Sequence, residues 1–134
     1  MSSSYGLVFE DLLFQGWLRS CQHFAEIDST NSVARRMGSE QGELQFPALL
    51  VADRQTQGRG RGGHVWWSPD GCLMLTLVIT SEQLPSDRSL WSQLALLTGV
   101  SAATAVDTVC PDLDVQLKWP NDLYLKGRKL GGIL

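Results

Sequence analysis

Between Asp53 and Gly71 the chain carries a run that no regular element accepts. Gln55-Thr56-Gln57-Gly58-Arg59-Gly60-Arg61-Gly62-Gly63 interleaves glycine with arginine, and Pro69 and Gly71 follow Trp66-Trp67-Ser68. Glycine at this density is entropically costly in a helix, and proline withholds the amide that a central strand needs. The stretch is therefore a long loop, and long loops inside a domain are usually functional or disordered. It is entered from Ala48-Leu49-Leu50-Val51-Ala52, an apolar run behind Pro47 that suits a strand covered on both faces. It leaves into Cys72–Thr80, where Leu73, Leu75, Leu77 and Ile79 alternate onto one face of a strand.

The flanking segments read as a mixture of helices and strands. Leu13, Phe14, Trp17 and Leu18 have helical spacing within Glu10–Arg19, weakened by Gly16. His23–Ile27 alternates like a short strand, and Ser29-Thr30-Asn31 offers a helix cap for a segment reaching Met37 and ending near Gly38. Pro85-Ser86 opens a helix to about Val109, striped by Leu90, Leu94 and Leu97. Within it, Ser89–Val106 carries no charge for 18 residues; its serines, threonines, Gln93 and Gly99 favour a buried helix over a membrane span. Leu113, Val115, Leu117 and Trp119 alternate as a strand. Asp122–Leu125 and Lys129–Leu134 form a hairpin turned at Lys126-Gly127-Arg128. With 134 residues, one domain is expected.

Charge is distributed unevenly. The net charge is −3, which argues against a general nucleic-acid coat. Yet Arg54, Arg59 and Arg61 fall in 54–64, and Lys118, Lys126, Arg128 and Lys129 fall in 118–129; together they are seven of the 11 basic residues, with Asp122 the only acid in either segment. Two cationic segments of an acidic chain suggest two walls of one anion site; two solvated basic loops are the plainer alternative. Glycines let backbone amides approach phosphate oxygens, and arginine forks suit phosphate or carboxylate. Gly58, Gly60 and Gly63 also match a G-x-G-x-x-G dinucleotide fingerprint, but Pro69 and Gly71 break the helix that this fingerprint needs. In the second segment, Asp122 could orient a lysine or hold Mg²⁺. Lys129, beside glycines in an apolar strand, is costly unless it meets an anion. The bland readings are a turn aspartate and an edge lysine.

Cys21, Cys72 and Cys110 are odd in number and widely spaced, which fits a reducing compartment, and His23 and His64 lack a third ligand for a metal. The first residues carry no signal-peptide pattern, so a cytoplasmic location is expected. The chain stops at Gly131-Gly132-Ile133-Leu134, inside an apolar strand, as a fragment would.

Three groups of residues occur together and in order: Ser29-Thr30-Asn31; Gln55-x-x-Gly58-Arg59-Gly60-Arg61-x-Gly63 with Trp66-x-Ser68-Pro69; and Lys118-Trp119-Pro120-Asn121-Asp122 with Lys129-Leu130-x-Gly132-Ile133-Leu134. In these the chain resembles the biotin protein ligase family. The resemblance implies an α+β fold, a central mixed sheet flanked by helices like that of class II aminoacyl-tRNA synthetases, incomplete relative to the family. It implies that 1–134 is the N-terminal portion of the catalytic domain, without the helix-turn-helix and SH3-like domains of some relatives. The implied chemistry uses ATP and Mg²⁺ to make biotinyl-5′-AMP, then transfers biotin to a lysine of a biotin carboxyl carrier protein. By motif, Ser29, Thr30, Gln55, Arg59, Arg61 and Lys129 would bind biotin. Gly58, Arg59, Gly60, Arg61, Trp66 and Asn121 would bind nucleotide. Lys129, Arg61 and Asp122 would be catalytic, with Asp122 the Mg²⁺ contact. Gly62 and His64 depart from the family, which often has a basic residue there. The alternatives are a non-catalytic binder of biotin or its adenylate, a lipoate ligase-like acyl transferase, or a nucleic-acid-binding loop; self-association would cover an open sheet edge.

Overall fold

The apolar run becomes the middle strand of a three-stranded sheet, seen in a computed structural model that describes residues 5–39 and 44–134. Strand β2 (Ala48–Gln55) is flanked by β1 (Ser20–Ile27), parallel to it, and β3 (Met74–Val78), antiparallel to it. A parallel pair needs a crossover, and α2 (Thr30–Ser39) supplies it. Val33, Ala34 and Met37 share one face of α2 and pack with Phe24, Leu44, Phe46, Ala48, Leu50 and Val78 to form the core. Ala48, Leu50 and Ala52 have no exposed surface at all, so Leu50→Ala would cost about 2–5 kcal/mol.

This sheet is longer than the sequence suggests at one point and the helix before it ends sooner. β2 runs three residues past Ala52, because Arg54 is paired in register with Glu26 and bonds it at 2.7 Å. Helix α1 spans Gly6–Phe14 rather than Glu10–Arg19. Gly16, at φ +74°, closes it: its amide donates to Leu13 O and that of Trp17 to Leu12 O, a Schellman stop. On β3 the leucines do share a face, and that face is the exposed one; Met74, Thr76 and Val78 point the other way. The signal-peptide reading of residues 1–4 lies outside the described residues.

Where one domain is expected, the chain forms two compact units, divided between Leu84 and Pro85. In the second, a 3₁₀ stretch over Arg88–Gln93 precedes α3 (Leu94–Val109), and β4 (Val115–Lys118), β5 (Asp122–Leu125) and β6 (Arg128–Gly132) form an antiparallel meander. The helix is not buried as its composition suggests. Gly99 is its one buried residue, while Leu97 and Val100 are exposed. It packs by a single flank: a Cβ on Gly99 would lie 2.7 Å from Leu117 Cδ1, so any larger residue would push the end of that leucine aside. Arg88–Val109 is long and apolar enough, by length and composition alone, to cross a membrane. The β5–β6 turn is tight. Lys126 (φ +49°) and Gly127 (φ +76°) are both left-handed, as a two-residue hairpin requires, and β6 already begins at Arg128.

Candidate functional site

The first cluster lies where β1 turns into α2. The opening amides of a helix have no partner within it, and here one comes from a distant strand. Gln55 Oε1, at the end of β2, accepts from Thr30 N at 2.7 Å and from Thr30 Oγ1 at 3.0 Å. The two donors fix the amide's orientation and turn Gln55 Nε2 away from them. Thr76 on β3 completes the cluster, its hydroxyl 2.8 Å from both Thr30 Oγ1 and Asn31 Oδ1. Ser29 and Thr30 are only 5% and 4% exposed. The helix does begin here, but Thr30 and Asn31 direct their side chains toward the sheet. The Ser29 hydroxyl has no hydrogen-bond partner among the described residues.

Asp28, which the sequence reading passed over, anchors this corner. Its carboxylate takes both arms of the Arg36 guanidinium, at 2.7 and 3.0 Å, and the Ser29 amide at 2.8 Å. The Arg36 fork, aided by that amide, lowers the Asp28 carboxyl to about 2. Its carbonyl accepts from Gln57 N at 2.8 Å, at the threshold of the glycine–arginine loop.

That loop is pinned at its base rather than left open. Trp66 N donates to Gly58 O at 2.8 Å, Gly60 N to His64 O at 2.7 Å, and Arg59 bridges Val65. Arg61–Gly63 form a single 3₁₀ turn at the tip, with Gly62 and Gly63 at positive φ. Extended backbone follows at His64, so no helix N-terminus faces this loop and the dinucleotide fingerprint lacks its essential part. Gly60 spends its amide inside the loop, whereas Gly58 is buried where a Cβ would meet Trp66 O at 3.0 Å and Gln55 Nε2 at 3.1 Å. The loop base and the Gln55 cluster are therefore one packed assembly. Arg59 and Arg61 are exposed.

In the second unit the predicted anion partner of Lys129 is within the chain: Lys129 Nζ lies 2.8 Å from Asp122 Oδ1. The pair depends on an irregularity in the β5–β6 ladder, which pairs Tyr124 with Lys129 and Leu123 with Gly131 and leaves Leu130 as the extra residue. It also depends on Gly132, whose absent Cβ would sit 3.2 Å from Asp122 Oδ1 and 3.5 Å from Lys129 Nζ. Asn121 holds the strand end by donating from Nδ2 to Ile133 O at 2.8 Å. Lys118 lies over the Tyr124 ring, and Trp119 is 78% exposed. The motif residues thus form one group within each unit. Thr76, Asp28 and Arg36 were missed; an aspartate before Ser-Thr-Asn with arginine eight positions on was the available signal.

His23 sits elsewhere, 2.9 Å from Asp53 Oδ1 and against the Tyr5 ring. Among the described residues no three or more His, Cys, Asp or Glu gather as metal ligands.

Residues 24–134 match the biotin/lipoate A/B protein ligase family. The chain is 38% identical over 113 residues to chloroplastic biotin–protein ligase 1 of Arabidopsis thaliana, covering 81% of this chain and 29% of the relative. It is 40% identical over 109 residues to the bifunctional ligase/repressor BirA of Escherichia coli K12, covering 81% and 32%. Biotin protein ligase from Leishmania major, solved with biotinyl-5-AMP, superposes with TM-score 0.73 at 32% identity, over 86% of this chain and 51% of that one. The Aquifex aeolicus enzyme with biotin and ATP gives 0.70 at 32% identity, over 87% and 46%. The chain thus spans about a third of these curated relatives and about half of the solved chains. Matched by the family model over residues 24–134, the chain belongs to the biotin/lipoate A/B protein ligase family.

Proposed function

We propose that the chain carries the acyl-recognition and activation residues of an ATP-dependent biotin protein ligase. The observation that carries this reading is the Ser29–Thr30–Gln55 cluster, with Ser29 and Thr30 buried and the Ser29 hydroxyl without a partner among the described residues. A ureido head, with both N–H donors and a carbonyl acceptor, would bond the Ser29 hydroxyl, a contact worth about 1 kcal/mol. Gln55 Nε2, turned from Thr30, suits a second contact to the same head.

In the reaction proposed, biotin's carboxylate oxygen attacks the α-phosphorus of ATP and pyrophosphate leaves. The amine of a carrier-protein lysine then attacks the acyl carbon of biotinyl-5′-AMP, and AMP leaves. Negative charge develops on oxygen in both steps, so fixed cations lower both barriers. Lys129 would neutralise the reacting carboxylate, with Asp122 holding its ammonium in place. Arg59 and Arg61 would close over the adenylate, Trp66 would support the adenine, and Asn121 and the amide of Gly58 would contact the nucleotide. Magnesium enters as part of the ATP substrate: Asp122 fits one contact to it, since Oδ1 already meets Lys129, and phosphate oxygens would supply others. The three cysteines are free, in keeping with a cytosolic setting.

Biotin-dependent exchange of pyrophosphate into ATP tests the reading. Exchange with biotin and not with lipoate supports it; saturable biotin binding without exchange identifies a binder, and faster exchange with lipoate assigns the other branch of the family.

A further inference from the structure

Asp28 is bonded to three parts of the first unit at once. Its carboxylate grips Arg36 on α2 and the Ser29 amide, and its carbonyl holds Gln57 at the loop base. The neighbouring carbonyl of Ile27 accepts from Thr56 N at 2.9 Å, and Ser29 O receives the first helical bond from Val33 N at 2.9 Å. Ser29 therefore has its amide fixed by Asp28 and its carbonyl committed to α2, so its hydroxyl can take only the directions this corner allows. Arg36 reaches back from the second turn of α2, as helical side chains do, and its planar fork sets the angle of the Asp28 carboxylate. The fork reaches Ser29 by way of Asp28, whose carboxylate it shares with the Ser29 amide.

We propose that Asp28 and Arg36 form a positioning clasp, which aims the Ser29 hydroxyl and the base of the glycine–arginine loop at the acyl ligand. This rests on the reading of the Ser29–Thr30–Gln55 cluster as the ureido site. Arg36 is a positioning residue and contacts no substrate. The clasp acts on orientation, so its loss weakens binding of biotin more than it unfolds the domain: the core on the other side of α2, built on Leu50 and Val33, makes no use of it.

The test combines calorimetric titration with biotin and hydrogen exchange in the unliganded chain, for wild type, Arg36→Ala, Arg36→Lys and Asp28→Asn. In Arg36→Ala the Ser29 and Gln57 amides should lose protection while Leu50 keeps its own, and biotin affinity should fall about tenfold. Arg36→Lys, which restores charge without the fork, should recover part of that loss. Asp28→Asn, which keeps an acceptor for Ser29 N, should resemble Arg36→Ala without losing the fold. Unchanged biotin affinity in variants whose Ser29 and Gln57 amides are deprotected overturns the clasp and leaves the site reading intact. Loss of Leu50 protection in every variant, with no partial recovery by lysine, makes the pair a folding element and also overturns it. Absence of biotin binding by wild type overturns the site reading, and the proposal with it.

Discussion

Gly58→Ala puts the packed loop base under the most direct strain. The added methyl would lie 3.0 Å from Trp66 O, 3.1 Å from Gln55 Nε2 and 3.2 Å from Trp66 Cβ. Each contact is a few tenths of an ångström too close, and neither neighbour is free to yield. Trp66 is tied through its amide to Gly58 O at 2.8 Å, and Gln55 is held through Oε1 by two bonds from Thr30. Relief requires either splaying the loop base or rotating the Gln55 amide, at about 1 kcal/mol for each bond given up. Overpacking of this kind costs about 1–3 kcal/mol. Taking about 2 kcal/mol in the ligand-competent arrangement, biotin affinity falls about 30-fold. Calorimetric titration measures it, with Gly60→Ala as a comparison, since that Cβ would meet nothing closer than 3.6 Å. Equal affinities for Gly58→Ala and wild type would show that the loop base and Gln55 do not act as one unit.

Three other outcomes follow from the same geometry. Lys129→Ala should cut pyrophosphate exchange by about 100-fold or more while ATP binding, followed by calorimetry, stays near wild type, because the lysine is assigned to developing charge. Arg61→Ala should keep part of the biotin affinity yet release biotinyl-5′-AMP faster in single turnover; unchanged retention removes its role in closing the loop. Asp28, at about 2 in the fold against 3.8 unperturbed, stabilises the chain fully above pH 4, and that contribution disappears as pH falls through 2. Discounted for partial exposure, it amounts to about 1 kcal/mol, and acid denaturation of Arg36→Ala should begin correspondingly higher in pH.

Local chemistry made much of this fold legible. The apolar run at 48–52 reads as a strand covered on both faces, and Lys126-Gly127-Arg128 between alternating segments as a hairpin turn, which the fold tightens to its first two residues. Readings failed where tertiary partners overrode local pattern. Trp17 and Phe14 sit at helical spacing but are 68% and 91% exposed, and Gly16 ended the helix before the pattern did. Asp53 and Arg54 look like loop residues until Glu26 and His23 arrive from a neighbouring strand. The charge-free segment at 89–106 suggested burial, yet it meets its sheet along one flank, where Gly99 allows close approach. The site followed the same division. Motif residues were visible by type, and an anion beside Lys129 was one of two readings; the lysine is exposed, yet it does pair with Asp122. That Gln55 would cap a helix 25 positions earlier, or that Arg36 would reach Asp28, depends on α2 crossing the sheet, which spacing does not encode.

Titration of biotin into the unmodified chain and into Ser29→Ala reads the central claim most directly. Ser29 Oγ has no hydrogen-bond partner among the described residues, so removing it should leave the melting temperature unchanged while weakening a single saturable biotin site by about tenfold, the worth of one hydrogen bond to a ligand. Equal affinity in the two proteins, or no saturable heat in either, would contradict the assignment of this corner as the place where biotin is recognised.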